Sequence, residues 1–302
     1  FHFCDGYSYG ADSFGSTDAT TGEWKINTSP SVSYGTNGFF ILKNGNSVTD
    51  QSGQGNNWSV GGGTLTKTED NPSNVFATLN PLNVPTSNAP TFANGNTTST
   101  SNTASGSYKW GGCSTLGMTS GKFYCEAKAT VDSTYSRNVI GITGDSANLA
   151  RTNGSIFNTT YSWGYYSSDG SVQGNGSGNI SGFSTPYVTG DIIMMALDLD
   201  NNKFYFGRNG TWLNSGVPTS GNTGTGAISI TSPNNTTDGA YFFAQTDDTG
   251  TTSPSKFEFN FGNGYFGTTA VSSAGTNASN NGIFEYDVPT GYTALSTKGL
   301  NL

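Results

Sequence analysis

Short aromatic segments separated by turn residues recur along the chain, and this alternation constrains the fold more than any other feature of the sequence. Residues 24–26 and 39–42 are two such segments. Asn37-Gly38 and Asn44-Gly45 lie beside the second one and supply the positive φ values that tight hairpins need. Gly, Ser, Thr and Asn together make up 157 of the 302 residues, and all four are poor helix formers. The pattern predicts an all-β protein with many turns.

Composition and charge exclude several other classes. Aromatic residues make up 13% of the chain, enough to fill a core that a disordered chain of this polarity would lack. The net charge is −8, and the Lys and Arg residues are scattered singly, so a nucleic-acid partner is not expected. The longest strongly apolar run, residues 192–197, is far shorter than the roughly 20 residues that span a bilayer. We expect a soluble chain, or one held by protein partners, without membrane insertion.

The three cysteines are few and odd in number, which does not fit a secreted disulfide framework. Free thiols at Cys4, Cys113 and Cys125 are the favoured interpretation, and a Cys113–Cys125 disulfide is the alternative. Residue 1 is Phe and the following residues already have strand character. We therefore expect the chain to be a piece of a longer polypeptide or a processed product.

Changes in composition divide the chain into four segments. Residues 1–85 form a β-rich N-terminal segment, and residues 86–107 are Thr-, Ser- and Asn-rich, as in a polar linker or a surface crossing. Residues 108–266 contain the densest strand signals. Residues 267–302 contain a second polar break followed by a C-terminal edge strand at 283–289.

The alternation is clearest at residues 122–129. One face of this predicted strand carries Phe123, Cys125, Ala127 and Ala129, and the other carries Tyr124, Glu126 and Lys128. Such a pattern is typical of a half-buried strand. Residues 192–206 predict two further strands around a turn at 200–203. The number and spacing of these strands favour an antiparallel β-sandwich.

The central segment resembles a SPRY-type domain, a concanavalin-like β-sandwich of jelly-roll type. The resemblance is carried by ordered pieces over about half of the chain, at residues 120–126, 140–142, 162–170, 190–200, 203–212 and 259–262. It implies a lectin-like sandwich, but the ligand does not follow from the fold.

The flanking residues resemble a narrower group, marine bacteriophage proteins that carry a SPRY-like module. The matching pieces are residues 2–6, 34–39, 50–58, 76–82 and 288–295. This resemblance implies a virion structural protein, such as a tail fibre, spike or other surface appendage, assembled in the host cytoplasm and displayed on the virion surface. Because such fibres and spikes are commonly trimeric, it also implies a homo-oligomer, with a trimer as one form.

The residues that catalysis requires are scarce. A Ser-His-Asp or Cys-His arrangement needs an imidazole near the nucleophile, and His2, the only histidine, lies near the first residue beside aromatic strand residues. The five Glu residues do not form the Glu-x-Asp-x-x-Glu spacing of a sandwich-fold glycosidase. The sequence therefore predicts a protein that is not an enzyme.

Calcium is the only cofactor that the sequence suggests. The turn from Asp50 to Asn56 resembles the Asp-x-Ser-Gly-x-Gly-Asn turn of laminin-G-like sandwiches, some of which hold calcium. The two residues would be metal ligands, or, in the favoured alternative, they would cap the turn by bonding local backbone amides. The acidic residues at 198–200 lack EF-hand spacing and indicate a hairpin turn, and Asp247-Asp248 carries the same ambiguity as the turn at Asp50.

Candidate ligand contacts lie in predicted loops, since rigid sheets position the loops at the ends of a sandwich. They are Tyr135 and Arg137 in the loop at 132–137, Tyr166 and Asp169 in the next turn region, and Trp212 after Asn209-Gly210. Tyr and Trp offer large rigid faces at low entropic cost, and Arg and Asp add directional hydrogen bonds. Trp163 and Tyr165, by contrast, are predicted core residues.

Two functions remain open from the sequence. The favoured one is recognition of a host cell-surface glycan or protein by the lectin-like sandwich of a phage appendage. The alternative is a structural or decoration protein of the capsid or tail, whose sandwich packs on other virion proteins. The low charge and the abundant Ser, Thr and Asn suit wet, hydrogen-bonded contacts in either case.

Overall fold

A computed structural model describes residues 1–17, 19, 24–43, 47–62, 70, 74–85, 89–101, 109–131, 138–147, 160–174, 178–247 and 254–301. The chain divides into two compact units, essentially Phe1–Val75 and Phe76–Leu300. Short 3-10 helices occur at Ala11–Ser13, Leu213–Ser215, Pro218–Thr223, Pro233–Asn235 and Gly299–Asn301.

The N-terminal unit is built from short antiparallel strand pairs. Its strands are β1 (His2–Phe3), β2 (Gly15–Thr17), β3 (Trp24–Ile26) and β4 (Phe39–Phe40), with β1 paired to β4 and β2 to β3. His2 stacks on the buried ring of Phe40 at 3.9 Å, on one face of the β1–β4 pair. On the other face Phe3 stacks on Phe39, which also contacts Trp58 at 5.0 Å. Phe3 and Trp58 remain about half exposed, so this face is an open aromatic surface.

The second unit contains the remaining strands, in two large sheets and one separate two-stranded pair. They are β5 (Thr91–Ala93), β6 (Thr98–Thr100), β7 (Lys109–Cys113), β8 (Lys122–Val131), β9 (Asn138–Thr143), β10 (Ser162–Tyr166), β11 (Val172–Gly174), β12 (Gly178–Ile180), β13 (Ile192–Asp198), β14 (Lys203–Arg208), β15 (Thr211–Trp212), β16 (Ile228–Ser229), β17 (Phe242–Asp247), β18 (Lys256–Asn260), β19 (Tyr265–Phe266), β20 (Thr269–Ala270) and β21 (Thr293–Ala294). One sheet has the order β12-β11-β10-β9-β17-β7. The other has the order β15-β14-β13-β8-β18-β6-β5, with β16 beside β14 and β21 beside β8. The separate pair is β19–β20.

Both sheets contribute to one apolar core, as in the predicted sandwich. Tyr165 of β10 contacts Phe206 of β14 across the two sheets, with ring centroids 5.6 Å apart. Trp163 and Tyr165 are 5% and 0% exposed, which confirms their assignment to the core. Apart from the parallel β21–β8 pair, the described strand pairs are antiparallel, and the all-β class predicted from turn chemistry is confirmed.

The outer face of β8 differs from its prediction. Tyr124 and Glu126 were expected on a solvated face, but both are 0% exposed. The segment of residues 272–287, called the wall segment below, covers them: Phe284 packs edge-on against Tyr124 at 4.9 Å. The half-buried interpretation of this strand is therefore wrong, because a part of the chain distant in sequence lies over the second face.

Two of the predicted segments also differ from the structure. The region 86–107, interpreted as a linker or surface crossing, contains β5 and β6, and β6 pairs with β18 inside the large sheet. Thr98 and Ser99 are 2% and 0% exposed, since hydroxyl side chains can be buried when they are hydrogen-bonded. The expected edge strand at 283–289 is replaced by a single bridge at Ile283, and the C-terminal strand is β21.

Other local predictions are confirmed. β13 and β14 form the hairpin expected around residues 200–203, and Asn202 has the expected left-handed φ of 55°. The Asp198 carboxylate accepts the Asn201 N–H at 3.0 Å, which caps the turn. All three cysteines are free thiols, as in the favoured interpretation.

Candidate functional site

The best candidate site is a groove beside Trp212 on the outer face of the larger sheet. Strand register places Asn260, Glu126, Met194, Gly207 and Trp212 in one row across five neighbouring strands. Gly207 has no side chain, and the Met194 side chain occupies the space above it: a Cβ at position 207 would lie 3.0 Å from the Met194 sulfur. Met194 and Trp212, on either side of Gly207 in the row, both line the groove.

The β14–β15 turn positions Trp212. Asn209 and Gly210 have φ values of 48° and 83°, as a tight hairpin with the sheet's twist requires. The Asn209 side chain fixes the turn to the neighbouring strand, because its Oδ1 accepts the Ile192 N–H at 2.9 Å and its Nδ2 donates to Asp191 at 2.7 Å. The Trp212 ring then rests edge-on against Tyr124, with centroids 6.4 Å apart, and is only partly buried.

The wall segment forms the opposite side of the groove, and its acidic side chains are tied to its own backbone. Glu285 accepts hydrogen bonds from the N–H of Ser272, at 2.6 Å, and from its hydroxyl. Asp287 accepts from the N–H and the hydroxyl of Thr276 at 2.7 and 2.8 Å. These two bonds lower the pKa of Asp287. The lowered pKa keeps the Asp287 carboxyl ionised at neutral pH, and the hydrogen bonds hold both acidic side chains in fixed directions.

Between these sides lies a cavity of about 500 Å³, a size typical of small-ligand sites. It is lined by Met194, Gly210, Trp212, Ser273, Ala274, Gly275, Glu285, Tyr286 and Asp287. Burial, and then the charge of Glu285, raise the pKa of Tyr286, so its phenol keeps its proton. The lining residues offer aromatic surface and hydrogen-bond acceptors, and none of them carries a positive charge.

A second cavity of about 580 Å³ lies near the start of β8. Its one cation, Lys122, is paired with Asp198 at 3.1 Å and lies 5.9 Å from the centre of the Tyr292 ring. Asp200, also in its lining, accepts the Gly121 N–H at 2.8 Å. The aromatic side chains of its lining, Phe123 and Tyr292, are 2% and 1% exposed, so this cavity offers a ligand less aromatic surface than the Trp212 groove.

The structure separates the ligand contacts predicted from the sequence. Trp212 lines the groove, whereas Tyr135 and Arg137 lie outside the described residues. Tyr166 is only 1% exposed within β10, so its expected role as a surface contact is corrected: strand alternation places it in a buried cluster with Val139.

Asp169 is exposed, but it belongs to the other sheet. Its Oδ1 accepts the N–H and the hydroxyl of Ser171 at 2.9 and 2.7 Å, which closes the turn between β10 and β11. The structure thus leaves Trp212 as the only one of the five predicted contacts in the groove, among the described residues.

The predicted calcium turn is a closely bonded loop of the N-terminal unit. The Asp50 carboxylate accepts the N–H groups of Phe40, Ser52 and Asn56 at 2.8 to 3.0 Å, and also the Ser52 hydroxyl. Burial alone would raise its pKa, but these hydrogen bonds lower the pKa of Asp50 to about 2. Asn56 uses its amide to donate to the carbonyls of Thr36 and Gly38. Asp50 thus caps the turn through backbone amides, as in the favoured alternative. Asn56 also ties the loop together, but it bonds backbone carbonyls and not the expected amides.

Sequence reasoning did not find Glu285, Tyr286 and Asp287. The available signal was the alternation of polar and apolar residues at 283–288, which was interpreted as an edge strand. Their position opposite Trp212 depends on a contact between distant parts of the chain, and local patterns do not encode it.

The sequence matches no protein-family model and no curated protein. Among solved structures, the SPRY domain of human HERC1 matches with a TM-score of 0.44 and 17% sequence identity, over 60% of this chain and 96% of that chain.

Among the described residues, no helix is long and apolar enough to span a bilayer. No three His, Cys, Asp or Glu side chains in this part of the chain are grouped so that they could hold a metal ion.

Proposed function

We propose that the protein is a non-enzymatic carbohydrate-binding protein and that a glycan lies in the Trp212 groove. The observation that carries the proposal is the arrangement of Trp212 and Tyr286 with the fixed carboxylates of Glu285 and Asp287 around one cavity of about 500 Å³. Sugar rings present apolar C–H faces to aromatic rings and hydroxyl donors to carboxylates. The groove offers both kinds of partner within one site.

The charge of the groove selects among glycans. Its described lining contains two carboxylates and no cation, so an acidic sugar would meet like charge without compensation. Neutral sugars and amino sugars, which carry hydroxyl or ammonium donors, fit this lining. We therefore propose a neutral or amino-sugar glycan as the ligand.

The state of the carboxylates favours binding over hydrolysis. Glycoside hydrolysis needs one carboxyl that holds a proton near neutral pH, which requires a raised pKa. The pKa of Asp287 is lowered, and the oxygens of Glu285 are engaged by Ser272. These bonds support a role in orienting the ligand.

We further propose that the protein is part of a phage virion appendage, such as a tail fibre or spike, and that its target is a glycan or glycoprotein on the host surface. The support for this context is the sequence resemblance of residues 2–6, 34–39, 50–58, 76–82 and 288–295 to marine phage proteins. In this setting its other partners are neighbouring virion proteins and further copies of itself.

A binding panel tests the glycan proposal. The full chain is titrated with maltohexaose, chitohexaose, deacetylated chitohexaose, an oligogalacturonate and host-envelope fractions. We expect binding of a neutral or cationic glycan that Trp212→Ala weakens at least about tenfold, the loss usual for a central aromatic contact. Trp58→Ala is the matched control, because Trp58 is an exposed Trp of the other unit, and we expect it to leave this affinity unchanged.

Three outcomes contradict the proposal. Wild-type protein that binds no glycan and no envelope fraction removes its basis. A virion reconstruction in which Trp212 is buried against a neighbouring subunit favours the structural or decoration role. Turnover of a glycan that Glu285→Gln or Asp287→Asn abolishes indicates an enzyme.

A further inference from the structure

The side chain of Glu126 is a buried acid with four hydrogen-bond donors directed at it. It is 0% exposed on the outer face of β8. Its Oε1 accepts the Tyr124 hydroxyl and the Tyr286 N–H, both at 2.9 Å. Its Oε2 accepts the Glu285 N–H at 2.9 Å and the Asn260 amide at 3.4 Å. Two donors come from the sheet and two come from the backbone of the wall segment.

We propose that Glu126 is a positioning residue for the groove: its carboxylate fastens the backbone of Glu285 and Tyr286 to the sheet and so sets the distance between the wall segment and Trp212. The inference rests on the proposed function for its effect on ligand affinity. The fastening itself can be measured without a ligand.

Three of the four donors around Glu126 are fixed in their roles, and the two backbone N–H groups face different oxygens, so both carboxyl oxygens are required as acceptors. Backbone N–H groups can only donate. The Asn260 amide is also held as a donor, because its Oδ1 already accepts the N–H groups of Gly262 and Gly264 at 3.0 and 3.1 Å. Its Nδ2 donates to the Ile283 carbonyl as well, at 2.9 Å. A side chain with a single acceptor oxygen therefore leaves one backbone N–H of the wall segment unpaired.

The position of these bonds explains why they act on the groove. The two N–H groups belong to Glu285 and Tyr286, whose side chains line the cavity. In strand register Glu126 lies directly beside Met194, which lines the same cavity. Tyr124, which donates to Glu126, also touches the Trp212 ring. One buried carboxylate thus contacts both sides of the groove through its immediate neighbours.

Glu126→Gln is the direct test, because Gln keeps the size of Glu but has one acceptor oxygen. Whichever way its amide is oriented, an NH₂ group faces the N–H of Glu285 or of Tyr286. We expect hydrogen exchange at the amide that faces this NH₂ group to become about tenfold faster, as for the loss of one strong hydrogen bond. Glu258→Gln is the matched control on the neighbouring strand β18, where Glu258 pairs with Lys256 and does not contact the wall segment's Glu285 or Tyr286 amides.

A second measurement needs no variant. In the wild-type protein the amides of Glu285 and Tyr286, although outside any strand, should exchange far more slowly than in an unstructured peptide. Exchange at the unstructured rate, or unchanged exchange in Glu126→Gln, overturns the proposal.

Affinity for the groove ligand separates this inference from the proposed function. With chitohexaose or deacetylated chitohexaose as the probe, faster exchange and a weaker affinity in Glu126→Gln support both statements. Faster exchange in a protein whose wild type binds neither probe supports the fastening and contradicts the glycan site. Faster exchange with unchanged affinity contradicts the positioning role.

Discussion

The backbone N–H of Tyr286 donates to Oε1 of Glu126 over 2.9 Å, although 160 positions separate the two residues in the chain. The preceding N–H, of Glu285, reaches the other oxygen of the same carboxylate. The Glu126 carboxylate, in the middle of β8, therefore holds the wall segment against the outer face of the sheet. Because that acid is buried and titratable, the stability of the second unit depends on pH.

The stability of the second unit should fall as the pH rises from about 4.5 to about 7 and change little above that. Burial raises the pKa of Glu126 from its usual 4.5 to about 7, against the opposing hydrogen bonds from Glu285, Tyr286 and Tyr124. The charge of Glu285 adds to the rise. A raised carboxyl pKa contributes stability that is complete below the unfolded value and is lost as the pH passes the folded value. Between pH 4.5 and about 7, the unfolding free energy of the wild type should fall by about 3 kcal/mol relative to that of Glu126→Gln. Urea titrations at a series of pH values measure this difference. Curves that stay parallel would show that the acid does not titrate in this range.

The interface between the two sheets should be sensitive to truncation. Phe206 is 1% exposed and packs on Tyr165 of the opposite sheet, so Phe206→Ala should cost about 3–5 kcal/mol of unfolding free energy. Leu82→Ala removes an aliphatic side chain that is 93% exposed and should change the stability by less than about 0.5 kcal/mol. Equal losses in the two variants would contradict the assignment of Phe206 to the core. Chemical denaturation followed by near-UV circular dichroism is a suitable measurement.

Glycine at position 210 serves both the turn and the groove. Its φ is 83°, and an added Cβ would lie 3.1 Å from the Tyr286 ring. Gly190 has a similar φ of 97° with open space around it, so Gly190→Ala is a matched control. Both alanine variants should lose about 1 kcal/mol from the left-handed backbone. Only Gly210→Ala should shift the NMR resonances of the Tyr286 ring; a shift of equal size in Gly190→Ala would contradict the contact.

The stability of the loop around Asp50 should depend on a side chain with two acceptor oxygens. Asp50→Asn leaves donors such as the Asn56 N–H unpaired and should destabilise the N-terminal unit by about 1–2 kcal/mol. Asp12→Asn changes an exposed acid of the same unit and should have little effect. Hydrogen exchange at the Phe40 and Ser52 amides measures the difference. The lowered pKa, about 2, means that this contribution is present above the usual value of 3.8 and is lost as the pH falls toward 2.

Calcium provides a separate test of the same loop. The carboxylate oxygens of Asp50 are already bonded to four protein donors, so we expect added calcium to leave the melting temperature unchanged. An increase in the wild type that is absent in Asp50→Asn would show that the metal displaces these donors.

Features that depend on local chemistry could be predicted from the sequence. The β13–β14 hairpin follows from adjacent Asn residues that tolerate a left-handed backbone, and the burial of Trp163 and Tyr165 follows from their position in an aromatic strand. The all-β class follows from the large number of such turns.

Features that depend on distant parts of the chain could not be predicted. The alternation in β8 identifies two faces, but it does not reveal that the wall segment covers Tyr124 and Glu126. Trp212 could be proposed from its turn, whereas Tyr286 could not, because only the folded chain brings them to one groove. The sequence does not predict strand β6, because its Thr and Ser residues have the composition of a linker. In the structure β6 pairs with β18 on one side and with β5 on the other.

The hydrogen bonds from the Glu285 and Tyr286 backbone to Glu126 also limit when the second unit can complete its folding during translation. The strand that carries the acid is synthesised long before its two backbone donors, which follow 159 and 160 positions later. Until those donors leave the ribosome, the acid stays hydrated and the outer surface of the sheet stays open to other chains. Contacts of such large sequence separation form slowly. We therefore expect the nascent protein to pass through a stage in which the outer face of β8 is exposed and a chaperone or a neighbouring copy can reach it.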